Sequence, residues 1–70
     1  MQLVMAGEGE ERKISKLLMR QGEKQQLQHL GFLSGEKVKI VSVLNGIFVL
    51  EVKGARLAID GITASKILVY

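Results

Sequence analysis

Apolar residues in the middle of the chain first follow a helical spacing and then alternate with polar ones. Leu27 and Leu30 are three residues apart, so a helix places them on one face, and Gly31 follows at once. Glycine adopts the left-handed conformation that ends a helix without a Cβ penalty. The pattern predicts a helix over 22–30 with Leu27 and Leu30 buried, and with Phe32 folding back on Leu27.

A β-hairpin is predicted after this helix, with strands over 37–44 and 47–53 joined by Asn45-Gly46. Asn-Gly is the strongest short hairpin signal, because a type I′ turn needs positive φ at both central residues. A two-residue loop also fixes the register, so alternate side chains of both strands share one face. The residues predicted on the core face are Val41, Val43, Phe48, Leu50 and Val52.

Two apolar residues of the first hairpin strand, Val38 and Ile40, are out of phase with that core face. A bulge or bend near Ile40-Val41 would turn both sets of side chains inward. Strands that bend in this way are typical of small closed barrels.

The other apolar segments are short and are separated by glycine. Gln2–Met5 suits either an edge strand or the lid of a barrel. Asp60 is a good N-cap for a single helical turn. Residues 11–19 are predicted as a strand, although Ile14, Leu17 and Leu18 also suit a helical period. The remaining predicted elements are a turn at 6–10, a turn at Gly54-Ala55, a strand at 56–59, the helical turn at 61–65 and a last strand at 66–70.

These elements predict a mainly β fold, a small β-barrel with one short α-helix and one C-terminal helical turn. Seventy residues make one domain, spanning 1–70, and so short a chain buries only about 60% of its unfolded surface. The chain has no cysteine, which fits a reducing compartment. No apolar run approaches the ~20 residues of a membrane span, and Met1–Gly7 does not resemble a signal peptide. The expected location is therefore the cytoplasm.

Candidate groups for catalysis or metal binding are few. The single histidine, His29, is predicted to be partly exposed, and Glu8, Glu10 and Glu11 lack a histidine at a useful spacing. The glycines at 7 and 9 do not form a phosphate-binding loop, and no serine has a nearby base in sequence. We therefore predict no catalytic residues, no metal ligands, no cofactor and no enzymatic activity.

The order and spacing of several segments resemble the FeoA family, ferrous iron transport protein A, over nearly the whole chain. Ser34 departs from the family, in which proline usually precedes the glycine at 35, and the loop at 20–22 is less rich in glycine. The segments that carry the resemblance are Gly9-Glu10, Leu27-x-x-Leu30-Gly31-Phe32-x-x-Gly35-x-x-Val38-x-Ile40, Arg56-Leu57-Ala58-Ile59 and Ala64-x-Lys66-Ile67-x-Val69.

The resemblance implies an SH3-like barrel, a domain also found at the C-terminus of metal regulators of the diphtheria toxin repressor type. It implies a small cytoplasmic accessory protein that binds the cytoplasmic part of the ferrous iron permease FeoB and supports Fe²⁺ uptake. It also associates the chain with transition metal ion binding. Contact with the membrane would then be made only through the permease.

A nucleic-acid-binding β-barrel is the alternative, because the net charge is +3 and residues 35–41 are similar to barrel modules of ribosome-associated proteins. The scarcity of aromatic residues for base stacking argues against it. The same scarcity argues against a polyproline-binding SH3 domain.

Partner contacts are predicted at the end of the helix, where the apolar residues Phe32 and Leu33 lie on a turn. Phe32 also has the inward orientation open to it, so Leu33 is the better candidate. An exposed first or last strand offers a second contact, through which a homodimer would form.

Overall fold

The computed structural model describes residues 1–70 as a five-stranded antiparallel fold with two helices and one 3₁₀ turn. Its elements are the 3₁₀ turn Leu3–Met5, strand β1 Glu11–Leu17, helix α1 Gln21–His29, β2 Lys37–Leu44, β3 Ile47–Val52, β4 Ala55–Asp60, the short helix α2 Gly61–Ser65 and β5 Ile67–Val69. The predicted mainly β fold, with one short helix and one C-terminal helical turn, is confirmed.

The strands pair in the order β4-β3-β2-β1-β5. The first residues of β1 pair with β2, and its residues from Ile14 onward pair with β5, with a register shift between Ile14 and Lys16 inside that second pairing. β1 thereby joins the two parts of the barrel wall. β4 and β5 do not pair with each other, and α2 contacts both strands between them.

A bulge in β2 produces the predicted bend. Ile40 pairs with Leu50 and Ser42 pairs with Val49, so Val41 is the extra residue. The bulge turns the side chains of Val38 and Ile40 fully into the core. Val41 itself is only half-buried, so its predicted place on the core face is wrong. Val43 is also half-buried, although it packs against the core.

Two hairpin turns with positive φ at both central residues join β2, β3 and β4. Asn45 and Gly46 have φ values of 52° and 76°, as predicted for this turn. The second turn was predicted at Gly54-Ala55, but it consists of Lys53 and Gly54, with φ values of 52° and 80°. Ala55 instead pairs with Val52 as the first residue of β4.

The N-terminal segment closes one side of the barrel as a lid rather than as a full strand. The Val69 N–H donates to the Met1 carbonyl at 2.7 Å, and the Met1 ammonium donates to the Val69 carbonyl at 2.7 Å. Gln2 forms an isolated bridge with Leu68. The Leu3 side chain is fully buried. β5 is therefore covered on both sides, and the free edge of the sheet is β4 rather than the first or last strand.

A single apolar core fills the space between these elements, and no charged or polar side chain is buried in it. Its members come from every element. The buried residues are Leu3, Ala6, Ile14, Leu17, Met19, Leu27, Phe32, Val38, Ile40, Phe48, Leu50, Val52, Ile59, Ala64, Ile67 and Val69.

Candidate partner-binding surface

The end of α1 is a Schellman turn, which fixes the side chains around it. Leu30 is the C-cap, and the Gly31 N–H donates to the Gln28 carbonyl at 3.0 Å. The Phe32 N–H donates to the Leu27 carbonyl, also at 3.0 Å. These two bonds are the pair that defines this motif, with glycine in the left-handed position. Gly31 has φ of 102°, as that position requires.

Phe32 is predicted from sequence as a partner contact, but the turn directs it into the core. Its side chain is only 2% exposed. In a Schellman turn, the residue two places after the C-cap packs against the residue three places before it, here Leu27. Phe32 is therefore a core residue and does not form part of the exposed surface.

Leu30 also differs from the prediction, because it is exposed rather than buried. It was expected on the buried face with Leu27, but its side chain is 45% exposed. The helix ends at this residue, and the reversal at Gly31 brings Phe32 rather than Leu30 over the core. The sequence signal for this exchange is the Gly31-Phe32 pair itself, because an apolar residue directly after a C-terminal glycine competes for the buried position.

Leu33, the other predicted contact, is 43% exposed on a turn held by backbone hydrogen bonds. Its N–H donates to the Gly31 carbonyl at 2.8 Å, and its carbonyl accepts from Glu36 N–H at 3.0 Å. The Gly35 N–H donates to the Ile14 carbonyl at 2.7 Å, which ties the turn to β1. We call Leu30 and Leu33 together the leucine surface. A turn bonded at both ends presents it with little conformational freedom.

A cavity of about 190 Å³ lies between β1 and α1, next to the leucine surface. Two of its lining residues, Gln28 and Ser34, are close in sequence to Leu30 and Leu33. Lys16 and Lys24 also line it, and neither forms an ion pair. The remaining lining residues are Ile14, Ser15, Leu17 and Phe32. A partner would meet exposed apolar side chains beside a cationic recess.

The acidic residues near the N-terminus have structural contacts. Glu10 accepts hydrogen bonds from the Gly7 N–H and, at 2.8 Å, from Arg12. The Gly7 N–H is the main cause that lowers the pKa of Glu10, and Arg12 lowers it further. Glu8 accepts a long bond of 3.4 Å from the Val43 N–H. His29 is exposed. Nowhere do three histidine, cysteine, aspartate or glutamate side chains come together.

A second exposed apolar group, which the sequence reading missed, lies at the tip of the first hairpin. Leu44 and Ile62 are both 71% exposed, and Gly46 and Gly61 bring their segments together. The sequence did contain a signal for this group. Val43 pairs with the buried Phe48, so the next residue, Leu44, lies on the opposite face of the hairpin, away from the core. No helix of the protein is long and apolar enough to cross a membrane.

Comparison with known proteins gives one family and several similar folds. The family model described as FeoA domain matches residues 1–70. A FeoA protein from Chlorobium tepidum has 19% identity and a TM-score of 0.94, with 100% of this chain and 69% of that chain covered. An iron uptake regulatory protein (FeoA) has 23% identity and a TM-score of 0.84, with 99% and 92% covered. No curated protein sequence matches.

A third similar structure is the FeoA of Stenotrophomonas maltophilia in complex with zinc. It has 21% identity and a TM-score of 0.85, with 100% of this chain and 89% of that chain covered. That protein is described as an SH3 domain protein and as a candidate ferrous iron transport activating factor. The SH3-like fold predicted from the sequence is thus confirmed.

Proposed function

Because the chain belongs to the FeoA family, we propose that it is a small cytoplasmic accessory protein of ferrous iron uptake that binds the cytoplasmic part of a FeoB-type permease. In this role residues 1–70 act as one binding domain without enzymatic activity. Two structurally similar FeoA proteins are described in terms of iron uptake regulation or transport activation, which supports the proposal.

The observation that carries the proposal is the leucine surface. Two half-exposed leucines on a turn with fixed backbone bonds are suited to bury apolar area against a partner with little loss of conformational entropy. The neighbouring Lys16 and Lys24 would favour a partner that carries acidic residues around an apolar contact.

The test is a titration of the labelled protein with the cytoplasmic domain of the permease from the same organism. We expect Leu33→Asp to weaken binding by about tenfold or more, because it places a charge where apolar area is buried. Leu44→Asp is the matched control, since it introduces the same charge at an exposed leucine on the other apolar group. We expect it to leave the affinity unchanged.

Circular dichroism of both variants must show the wild-type fold, because an unfolded Leu33→Asp protein would mean that this residue is structural. Equal affinities for wild type and a folded Leu33→Asp variant would contradict the role of the leucine surface. The same titration with RNA at two salt concentrations tests the nucleic-acid alternative. RNA binding that weakens steeply with salt, without binding to the permease domain, would replace the proposed function.

A further inference from the structure

The free edge of β4 carries backbone groups without partners. Val52 and Ala55 flank a two-residue hairpin turn, so Ala55, and with it Leu57 and Ile59, direct their N–H and C=O groups to β3. The N–H and C=O groups of Arg56 and Ala58, which alternate with these residues, point away from β3. No backbone hydrogen bond elsewhere in the fold uses the N–H groups of Arg56 or Ala58. An unpaired edge of this kind is a template for a further strand.

The sequence of β4 is complementary to itself in antiparallel orientation. It reads Arg56-Leu57-Ala58-Ile59-Asp60, with a base and an acid placed symmetrically about Ala58. Pairing two copies about Ala58 brings each Arg56 opposite Asp60 of the second copy. This register also allows backbone hydrogen bonds between the copies. Arg56 then faces Asp60 and Ala58 faces Ala58, and all of these residues direct their N–H and C=O groups away from β3.

The charged side chains at the two ends of this segment have bonding capacity left. Arg56 binds Glu51 through Nε alone, at 3.1 Å, which leaves both of its terminal nitrogens free. Asp60 accepts from the Thr63 N–H through Oδ1 at 2.8 Å and also interacts with the Thr63 hydroxyl, but its carboxylate is exposed and can accept further hydrogen bonds. Its backbone is still extended, with φ of −82° and ψ of 170°, so the strand geometry continues through Asp60.

The outer face of the sheet shows the same charge order. One row of directly opposed residues crosses four strands with alternating sign: Glu11, Lys39, Glu51 and Arg56. The next strand along this row would have to present an acid beside Arg56 to continue it. Asp60 of a second copy supplies that acid in the register centred on Ala58.

We propose that two copies of the chain associate through their β4 edges, antiparallel about Ala58, with Arg56 of each copy paired to Asp60 of the other. The arrangement is two-fold symmetric and closed, so it produces a dimer and not a filament. It joins the two sheets into one. Five residues per copy make a small contact, so the dimer forms at micromolar to millimolar concentration rather than below it.

Sedimentation of the full chain over a micromolar to millimolar series, at low salt, tests the proposal. We expect a reversible monomer–dimer equilibrium. Arg56→Glu places two acids opposite each other and should give monomers only. Asp60→Lys places two bases opposite each other and should do the same. An equimolar mixture of these two variants restores opposite charges at both ends, so the mixture should form dimers that neither variant forms alone.

Arg20→Glu is the control for charge, because it makes the same substitution at an exposed arginine directly before α1, and it should dimerise like the wild type. Ala58→Pro removes the central N–H donor and should also give monomers. Circular dichroism identifies any variant that fails to fold. If Ala58→Pro is unfolded, the results for Arg56→Glu, Asp60→Lys and their mixture decide. A wild-type chain that remains monomeric throughout the series would overturn the proposal. So would a dimer that persists in the folded Arg56→Glu protein, or a mixture that stays monomeric.

Discussion

Asp60 shows how much a single residue contributes where two elements meet. Its carboxylate accepts from the Thr63 N–H and so caps α2, while its backbone still pairs with Ile47 as the last residue of β4. The Thr63 N–H lowers the pKa of Asp60, because a hydrogen bond to the carboxylate favours the charged form. The ionised cap therefore stabilises the folded state.

This cap makes part of the stability dependent on pH. A carboxyl group with a lowered folded-state pKa stabilises the fold at pH values above its unfolded pKa, and the effect is lost as pH falls through the folded pKa. We expect Asp60→Asn, which keeps an oxygen acceptor without the charge, to unfold at a lower temperature than wild type at neutral pH. The difference should shrink in acid, as measured by thermal unfolding from neutral pH downwards. A constant difference would contradict the assignment.

Caps and turns of this kind were predictable because they depend on local chemistry. Which of two neighbouring apolar residues is buried depends on tertiary structure and was not predictable. Asp60 as a cap, Gly31 as a helix stop and Asn45-Gly46 as a turn each follow from one or two adjacent residues. Leu30 and Phe32 compete for the same buried position, and only the reversal of the chain decides between them. Of the candidate surface, Leu33 was therefore predicted from the sequence, but Leu30 was not.

Among the elements, α1 depends most on how it ends. Its nine residues make little more than two turns, which are unstable alone in water. The Schellman turn at its C-terminus connects it to the core through Phe32. Gly31 makes this possible, with φ of 102° and a position so close to β3 that an added Cβ would lie 3.3 Å from Cγ1 of Val52.

Two glycine substitutions in this helix should have opposite effects. Gly31→Ala forces a Cβ into both a left-handed backbone and a tight contact, so we expect a loss of about 1–2 kcal/mol in the free energy of unfolding. Gly22→Ala lies in the first turn, where the added Cβ meets nothing within 4 Å. It should gain up to about 1 kcal/mol from helix propensity. Urea unfolding of both variants measures the contrast, and equal changes would contradict it.

The bulge in β2 shows the limit of prediction for an element. The phase shift between Val38-Ile40 and the later strand residues indicated a bulge near Ile40-Val41, and that prediction is confirmed. The pattern did not show which residue would be left over. Leu50 could pair with either Val41 or Ile40 in an alternating apolar pattern, because both side chains are apolar and branched.

At the scale of the whole molecule, the N-terminal segment closes what the strands leave open. Leu3 is fully buried although its 3₁₀ turn has only three residues. Short segments like this carry no clear period, so the sequence left strand and lid as alternatives. The choice depends on β5, whose outer edge accepts Met1 and Gln2.

Leu3 should therefore matter to the entire fold. We expect Leu3→Ala to lower the free energy of unfolding by about 2–5 kcal/mol, because it leaves a cavity in the core. For a domain of this size that is a large part of the total stability. Met5→Ala, two residues later and mostly exposed, should change it by less than about 0.5 kcal/mol. Similar losses in both variants, measured by urea unfolding, would show that Leu3 does not close the core.

The position of β1 between β2 and β5 has a consequence for how the protein folds during synthesis on the ribosome. β2, β3 and β4 follow one another through two-residue turns and need only nearby chain to pair. β1, in contrast, gains its second neighbour only from residues 67–69. Contacts between such distant segments form slowly, because the loop entropy must be lost before they stabilise the chain. We therefore expect the nascent chain to form the antiparallel meander β2-β3-β4 before β5 is available. It should reach its native state only after β5 has left the exit tunnel.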